Sequence, residues 1–266
     1  MSCSKSGIYY ETTGEGLPVL ILHGAMLEHS MMESCLEPVF KNIPGFKRFY
    51  VDLPGMGKSP APEGLSTSDL MLSLLESFIE ECIPAGKFIL IGQSYGAYLA
   101  RGLLKSYSKR VAGLFLFCPV IEPKKEKRHV PDHQILEISS DLKVAEELKE
   151  LYSGMFVLQT PYTWERFLSE IHTGIQKTDM VFLKKLQSEG YEFSFPLPDK
   201  EQTFDFPALF LLGRQDACVG YKDTLELINA YTHGSFTVID KAGHNLQIEQ
   251  PLFFSKLAEC FLSQLH

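Results

Sequence analysis

Phe88-Ile89-Leu90-Ile91-Gly92-Gln93-Ser94-Tyr95-Gly96 is the stretch that decides the reading of this chain. Four apolar residues in a row, with no polar alternation, suit a strand buried on both faces of a parallel sheet. The run passes directly into Gly-x-Ser-x-Gly, and a helical stretch follows from Ala97 to about Tyr107. A serine held where a strand turns sharply into a helix is the nucleophile elbow. Glycines two residues to either side keep Cβ atoms out of the tight turn. The helix N-terminus behind Ser94 adds a field that favours developing negative charge. Gly-x-Ser-x-Gly alone arises by chance in roughly one chain in ten, so the flanking strand and helix carry the inference.

Similar runs lie on both sides of this one. Val19-Leu20-Ile21-Leu22 ends at His23-Gly24, and Phe49-Tyr50-Val51 ends at Asp52-Leu53-Pro54-Gly55. Val111 to Phe117, Phe206 to Leu212 and Phe236 to Ile239 read as further strands, and Ile8 to Glu11, before Gly14 and Gly16, as an edge strand. Helical spacing marks Asp69 to Ile83, with Leu70, Leu74, Phe78 and Ile79 apolar, Ser68 as cap and Pro84 as stop. Helices are also expected at Tyr221 to Tyr231 and Leu252 to Leu265. Strands alternating with helices predict an α/β fold: a mostly parallel central β-sheet flanked by helices on both faces. Pro119 to Asp205 breaks the alternation and reads as amphipathic helices, for example Leu142 to Leu151 and Tyr162 to Ile171. The expected organisation is a core of residues 1–118 and 206–266 with a helical cap inserted at 119–205.

A serine hydroxyl needs a base to take its proton, and the base needs a carboxylate to hold its tautomer. His244, in Ala242-Gly243-His244-Asn245 just past the last strand, is the candidate base. Asp216, in Gly213-Arg214-Gln215-Asp216 past the preceding strand, is the candidate acid, which gives the order Ser, Asp, His expected of this elbow. Asp240 and Glu122, each near a strand end, are competing acids. His29, His129, His133, His172, His233 and His266 are expected on surfaces or in the insertion. The loop after the first central strand and the residue after the nucleophile supply oxyanion amides in this architecture, which nominates the backbone N–H groups of Ala25 and Tyr95. His23 and Met26, in that loop, are candidates for substrate binding.

Composition bounds the rest. The 266 residues are 45% hydrophobic and 22% charged, ordinary for a globular protein, with net charge −8. That charge argues against nucleic acid as partner. The one basic cluster, Lys124, Lys125, Lys127, Arg128 and His129, reads as a solvated connector. The six cysteines show neither Cys-x-x-Cys pairing nor zinc-like spacing, and are expected to be reduced residues of a cytoplasmic protein. Met1 to Ile8 lacks an apolar signal core, no apolar run approaches a membrane span, and neither metal nor cofactor is expected.

Leu22-His23-Gly24, Asp52-Leu53-Pro54-Gly55-Met56-Gly57-Lys58-Ser59, Gly92-Gln93-Ser94-Tyr95-Gly96, Gly213-Arg214-Gln215-Asp216 and Gly243-His244 with Glu249-Gln250-Pro251 together resemble the α/β-hydrolase superfamily over nearly the whole chain. The resemblance is to its capped group of small carboxylesterases, proline iminopeptidases, ring-cleavage-product hydrolases and cofactor-free haloperoxidases. Ser94 stands where haloalkane dehalogenases and epoxide hydrolases carry Asp, so it implies neither of those reactions. Gln93 and Tyr95 depart from the iminopeptidase Gly-Gly-Ser-Trp-Gly. The resemblance makes Asp52 to Ser59 a structural loop; its glycine spacing does not fit a phosphate loop. The leading function is hydrolysis of a small ester through an acyl-enzyme on Ser94. Amide, thioester, C–C or peracid turnover at the same site, and a non-catalytic ligand receptor of the same fold, are the alternatives. Tyr152, Met155, Phe156, Trp164, Phe167, Leu168 and Ile171 are candidates to roof the site, with Phe156 and Trp164 foremost as substrate contacts and an apolar acyl or alcohol group as the ligand.

Overall fold

A computed structural model describes residues 2–64 and 66–265. Met1, at the start of the polar N-terminus, and His266, expected on the surface, lie outside the described residues. The strands are β1 (Ser2–Cys3), β2 (Tyr9–Thr13), β3 (Leu17–Leu22), β4 (Phe46–Val51), β5 (Phe88–Gln93), β6 (Val111–Phe117), β7 (Glu137–Ile138), β8 (Leu158–Gln159), β9 (Ala208–Gly213) and β10 (Gly234–Ile239). Eight of them form one sheet in the order β1-β2-β4-β3-β5-β6-β9-β10. Pairing is antiparallel at β1–β2 and β2–β4 and parallel elsewhere. β2 is therefore one strand in from the edge, because Ser2–Cys3 pairs outside it.

The elbow strand lies in the middle of this sheet. All six residues of β5 are buried, and each large aliphatic side chain so buried contributes about 1.5–3 kcal/mol relative to exposure. α1 (His29–Phe40), α2 (Ser68–Cys82) and α3 (Ser94–Tyr107) pack on the sheet. On α2 the buried stripe is Met71, Leu72, Leu75, Phe78 and Ile79, with Leu74 packed at its margin and Leu70 half-buried. The cap of α2 is Thr67, whose hydroxyl accepts from the Leu70 N–H at 3.1 Å. Ser68 is taken instead by tertiary partners: its hydroxyl pairs with the Tyr95 hydroxyl at 2.8 Å and donates to the Tyr191 carbonyl at 2.7 Å.

Residues 119–205 add no strand to the main sheet. They hold α4 (Glu146–Ser153), α5 (Pro161–Arg166), α6 (Thr173–Gln176) and α7 (Met180–Lys185), π-helical turns at Phe167–His172 and Leu186–Gly190, and the small parallel pair β7–β8. Both ends of this excursion meet on Arg101 of α3. Arg101 is wholly buried, donates from Nη1 to the Val120 carbonyl at 3.0 Å, and grips the Asp199 carboxylate with Nε and Nη2 at 2.6 and 2.9 Å. Tyr231 donates its hydroxyl to the same carboxylate at 2.8 Å. Removing one partner from such a buried pair typically costs about 3–5 kcal/mol, because the other charge is left uncompensated.

After β9 the chain forms only α8 (Lys222–Leu225) rather than a helix reaching Tyr231. The Ala230 carbonyl is taken by the Phe204 N–H at 2.7 Å, and Tyr231 is drawn inward to Asp199, so that segment leaves the helical path. α9 (Leu246–Glu249) and α10 (Pro251–Leu262) complete the fold. Among the described residues, no helix is long and apolar enough to cross a membrane.

Candidate active site

Ser94 ends the β5 turn with φ +51°, in the left-handed region, a conformation costing a non-glycine residue on the order of 1–3 kcal/mol. The turn is tight enough to require its glycines. A Cβ on Gly96 would stand 2.3 Å from the Leu22 carbonyl oxygen, and one on Gly92 2.7 Å from the Ala97 Cα. Small Ala97 fits this packing, as expected.

The structure brings Ser94, His244 and Asp216 into one hydrogen-bonded line. The Ser94 hydroxyl meets His244 Nε2 at 2.9 Å, and His244 Nδ1 meets Asp216 Oδ2 at 2.8 Å. A carboxylate can only accept, which puts the ring proton on Nδ1 and leaves Nε2 to accept from the serine. Asp216 is fully buried, and its other oxygen accepts the Cys218 and Val219 N–H groups at 2.8 and 3.0 Å. Burial alone would raise its pKa, but the His244 ring and those amides outweigh it and hold the carboxyl below its ordinary range. The competing acids are elsewhere. Asp240 is exposed and accepts from the Gln215 amide at 2.9 Å, and Glu122 accepts the Lys124 N–H at 2.9 Å.

Burial pulls the His244 pKa down, but the Asp216 carboxylate, with Cys218 and Cys118 nearby, overcomes it and raises the pKa well above the ordinary 6.5. The sign follows directly: a raised pKa keeps the ring protonated, and unable to accept the serine proton, at pH values where a free imidazole is already neutral. Hydrolysis should therefore still climb with pH through neutrality, its acid limb above the usual histidine value of about 6.5. A pH–kcat/KM profile flat from about pH 8 down to about pH 5 would contradict this.

Ala25 and Met26 line the cavity next to Ser94. A Cβ on the adjoining Gly24 would lie only 3.0 Å from the Ser94 Cβ, so this loop is pressed against the serine. Neither the Ala25 nor the Tyr95 backbone N–H has a hydrogen-bond partner among the described residues. His23 is a brace rather than a substrate contact. It is fully buried, its Nε2 accepts the Leu53 N–H at 2.9 Å, and its Nδ1 donates to the Gly24 carbonyl at 2.7 Å. His29 is also internal, bonded through Nδ1 to Asp52 at 2.9 Å. Asp52 in turn accepts the Lys58 N–H at 2.8 Å, which folds the Asp52–Ser59 loop upon itself in the structural role expected.

The cavity above Ser94 and His244 has a volume of about 420 Å³. Met155, Ile171 and Tyr191 from the 119–205 segment line it; Phe156 and Trp164 do not. Those two pack with Tyr152 and Phe167 in an aromatic cluster inside the segment, with ring centroids 5.0–6.1 Å apart. Helical periodicity shows that a residue is apolar, not which neighbour covers it. The basic cluster is likewise misjudged as a wholly solvated connector, since Lys125 and Arg128 line the cavity, as does His133.

Glu249 belongs to the Glu249-Gln250-Pro251 stretch, whose pattern alone gives it no role. It is buried, accepts the Gly243 N–H at 2.6 Å with one oxygen, and accepts the Val157 and Leu158 N–H groups at 2.6 and 3.3 Å with the other. It thus clamps the His244 loop to the roof segment. Burial pushes its carboxyl up to about 7 even though those amides pull it down. Among the described residues, Cys118, Asp216 and His244 are one of three groups whose ligand atoms lie close enough to hold a metal, the others centring on His29. Hydrogen bonds within the protein already engage the imidazoles and the Asp216 and Asp52 carboxylates.

A mostly parallel sheet, a serine at its central strand-to-helix turn and an Asp–His pair at two later strand ends together define a hydrolase of the α/β type. The profile of the alpha/beta hydrolase family matches residues 19–257, and the chain belongs to that family. It is similar to a solved alpha/beta superfamily hydrolase from Oenococcus oeni PSU-1, 35% identical, with TM-score 0.93 over 99% of this chain and 98% of that one. A thermophilic esterase from Thermogutta terrifontis, 24% identical over 97% of this chain and 94% of that one with TM-score 0.71, shares the fold. The 2-hydroxy-6-oxo-6-(2'-aminophenyl)hexa-2,4-dienoic acid hydrolase of Metapseudomonas resinovorans is 23% identical, covering 96% of this chain and 87% of the relative.

Proposed function

We propose that this hydrolase cleaves a small ester through an acyl-enzyme on Ser94. The observation that carries the proposal is the continuous line Ser94–His244–Asp216 opening into a cavity. Ser94 Oγ attacks the carbonyl carbon as His244 Nε2 takes its proton. The developing oxyanion is received by the Ala25 and Tyr95 N–H groups, each such donor worth about 3 kcal/mol in the transition state. The imidazolium, steadied by Asp216, returns the proton to the leaving alkoxide, and the alcohol departs. Water, deprotonated by the same nitrogen, then releases the acid and restores Ser94. Residues 119–205 serve as the cap that shapes the cavity. All six cysteines are unbridged, which supports a reducing, cytoplasmic compartment.

A volume of about 420 Å³ accommodates a small or medium ester and not a long acyl chain in full. A series of p-nitrophenyl esters graded by acyl length tests this beside fluorophosphonate labelling. Short and medium acyl groups should give the highest kcat/KM, and Met155→Ala and Ile171→Ala should move the optimum to longer chains. Best turnover of a long-chain ester, or a ranking untouched by both substitutions, would refute the assignment of the walls. Absence of both ester turnover and a Ser94 adduct would refute the mechanism.

A further inference from the structure

The chain as a whole is acidic, at −8, yet among the described residues no aspartate or glutamate lines the cavity over Ser94. Its charged lining is Lys125 and Arg128, with His133 alongside. The basic segment divides according to where its side chains are neutralised. Lys124 pairs with Glu192 at 3.0 Å, and His129 with Asp223 at 2.5 Å. Lys127 faces a different depression, whose lining includes Glu122, Glu201 and Asp223. Lys125 and Arg128 have no carboxylate partner among the described residues.

Arg128 is nevertheless fixed. Its Nε donates to the Glu122 carbonyl at 2.8 Å, Nη1 to the Cys218 carbonyl at 3.1 Å and Nη2 to the Pro123 carbonyl at 3.2 Å. Neutral carbonyls orient the guanidinium without cancelling its charge, and of the roughly five N–H donors an arginine carries they leave two. The Tyr191 hydroxyl stands beside it in the same cavity. A guanidinium pre-oriented by backbone and lacking a counter-ion loses little freedom when it receives an anion. The adjacent cavity wall, with Met26, Leu27, Met155 and Ile171, is apolar.

We propose that the substrate carries a carboxylate away from its scissile bond, and that Arg128 and Lys125 hold this carboxylate while the apolar wall holds the chain between. This rests on the ester-hydrolase reading above and names its substrate class. Two matched pairs of esters test it. In one the charge is on the acyl side, p-nitrophenyl hydrogen glutarate against p-nitrophenyl pentanoate. In the other it is on the alcohol side, m-carboxyphenyl butyrate against m-carbamoylphenyl butyrate. In at least one pair the carboxylate should raise kcat/KM by about tenfold, the scale of one charge-assisted hydrogen bond, and the advantage should shrink as salt rises. Arg128→Gln and Lys125→Gln should each reduce that ratio and the double variant abolish it, while Lys124→Gln, paired outside the cavity, should leave it in place. Should Arg128→Gln fail to fold, the exposed Lys125→Glu should still lower the ratio below the Lys125→Gln value. Neutral esters equal or superior in both pairs, or a preference that survives the double variant, would overturn the proposal.

Thermal shift of the Ser94→Ala protein with glutarate separates this proposal from the catalytic one. Stabilisation by glutarate that disappears with Arg128→Gln supports the carboxylate site even if no ester is turned over. Normal ester turnover with neither preference nor glutarate binding overturns the site and leaves the hydrolase reading standing.

Discussion

Ser94→Ala is expected to lower kcat toward small esters by at least about a thousandfold, because nucleophile and base act as a unit and the remaining groups cannot substitute for a covalent intermediate. Alanine keeps the Cβ and the same left-handed backbone at φ +51°, so the turn should persist. It also removes a hydroxyl whose one recorded side-chain bond is the 2.9 Å contact with His244. The thermal midpoint should therefore stay near that of the parent protein, and fluorophosphonate labelling should vanish. A folded Ser94→Ala protein with activity near the parent's would remove Ser94 from the mechanism altogether.

The second large effect belongs to Asp216→Asn, expected at about ten-thousandfold in kcat on the scale of such tautomer defects. The local bonds say why. Oδ1 of Asp216 receives two backbone N–H groups, from Cys218 and Val219. In asparagine the single carbonyl oxygen must stay with those two donors, which turns the amide NH2 toward His244 Nδ1. That nitrogen must then accept, the ring proton moves to Nε2, and Nε2 can no longer take the proton of Ser94. Asp240→Asn and Glu122→Gln should leave kcat near the parent value, since neither carboxylate bonds to His244. Loss of activity in either of those, with Asp216→Asn active, would transfer the acid's role to the residue lost.

The central strands and the elbow were legible because β5 is buried on both faces, which forces an uninterrupted apolar run, and because Gly92 and Gly96 have no room for a Cβ. The identities of His244 and Asp216 followed from strand-end position. What failed to show was set by partners distant in sequence. Thr67 rather than Ser68 caps α2 because Tyr95 and Tyr191 claim the Ser68 hydroxyl. His23 resembled a site residue until its two ring nitrogens were seen to be occupied by Leu53 and Gly24. Phe156 and Trp164 are aromatic and near the site in sequence, as Met155 is, but only Met155 reaches the cavity. The charge of Lys125 and Arg128 was visible in the sequence, whereas its direction depended on which neighbours found carboxylates first.

Arg101 holds Val120 and Asp199 together at a single buried point, so the excursion between them leaves and re-enters the sheet through one fixed neck. A closed loop becomes only about 0.6 kcal/mol costlier with each doubling of length, so the chain above the neck is free to lengthen, shorten or change composition. Part of the cavity wall, Met155, Ile171 and Tyr191 among it, then lies on a stretch of chain that can vary while Ser94 stays on the sheet. Descendants of such a protein can diverge in what they accept by rewriting much of the span from Ile121 to Pro198, provided that the Val157 and Leu158 N–H groups, which tie it through Glu249 to the His244 loop, stay in place.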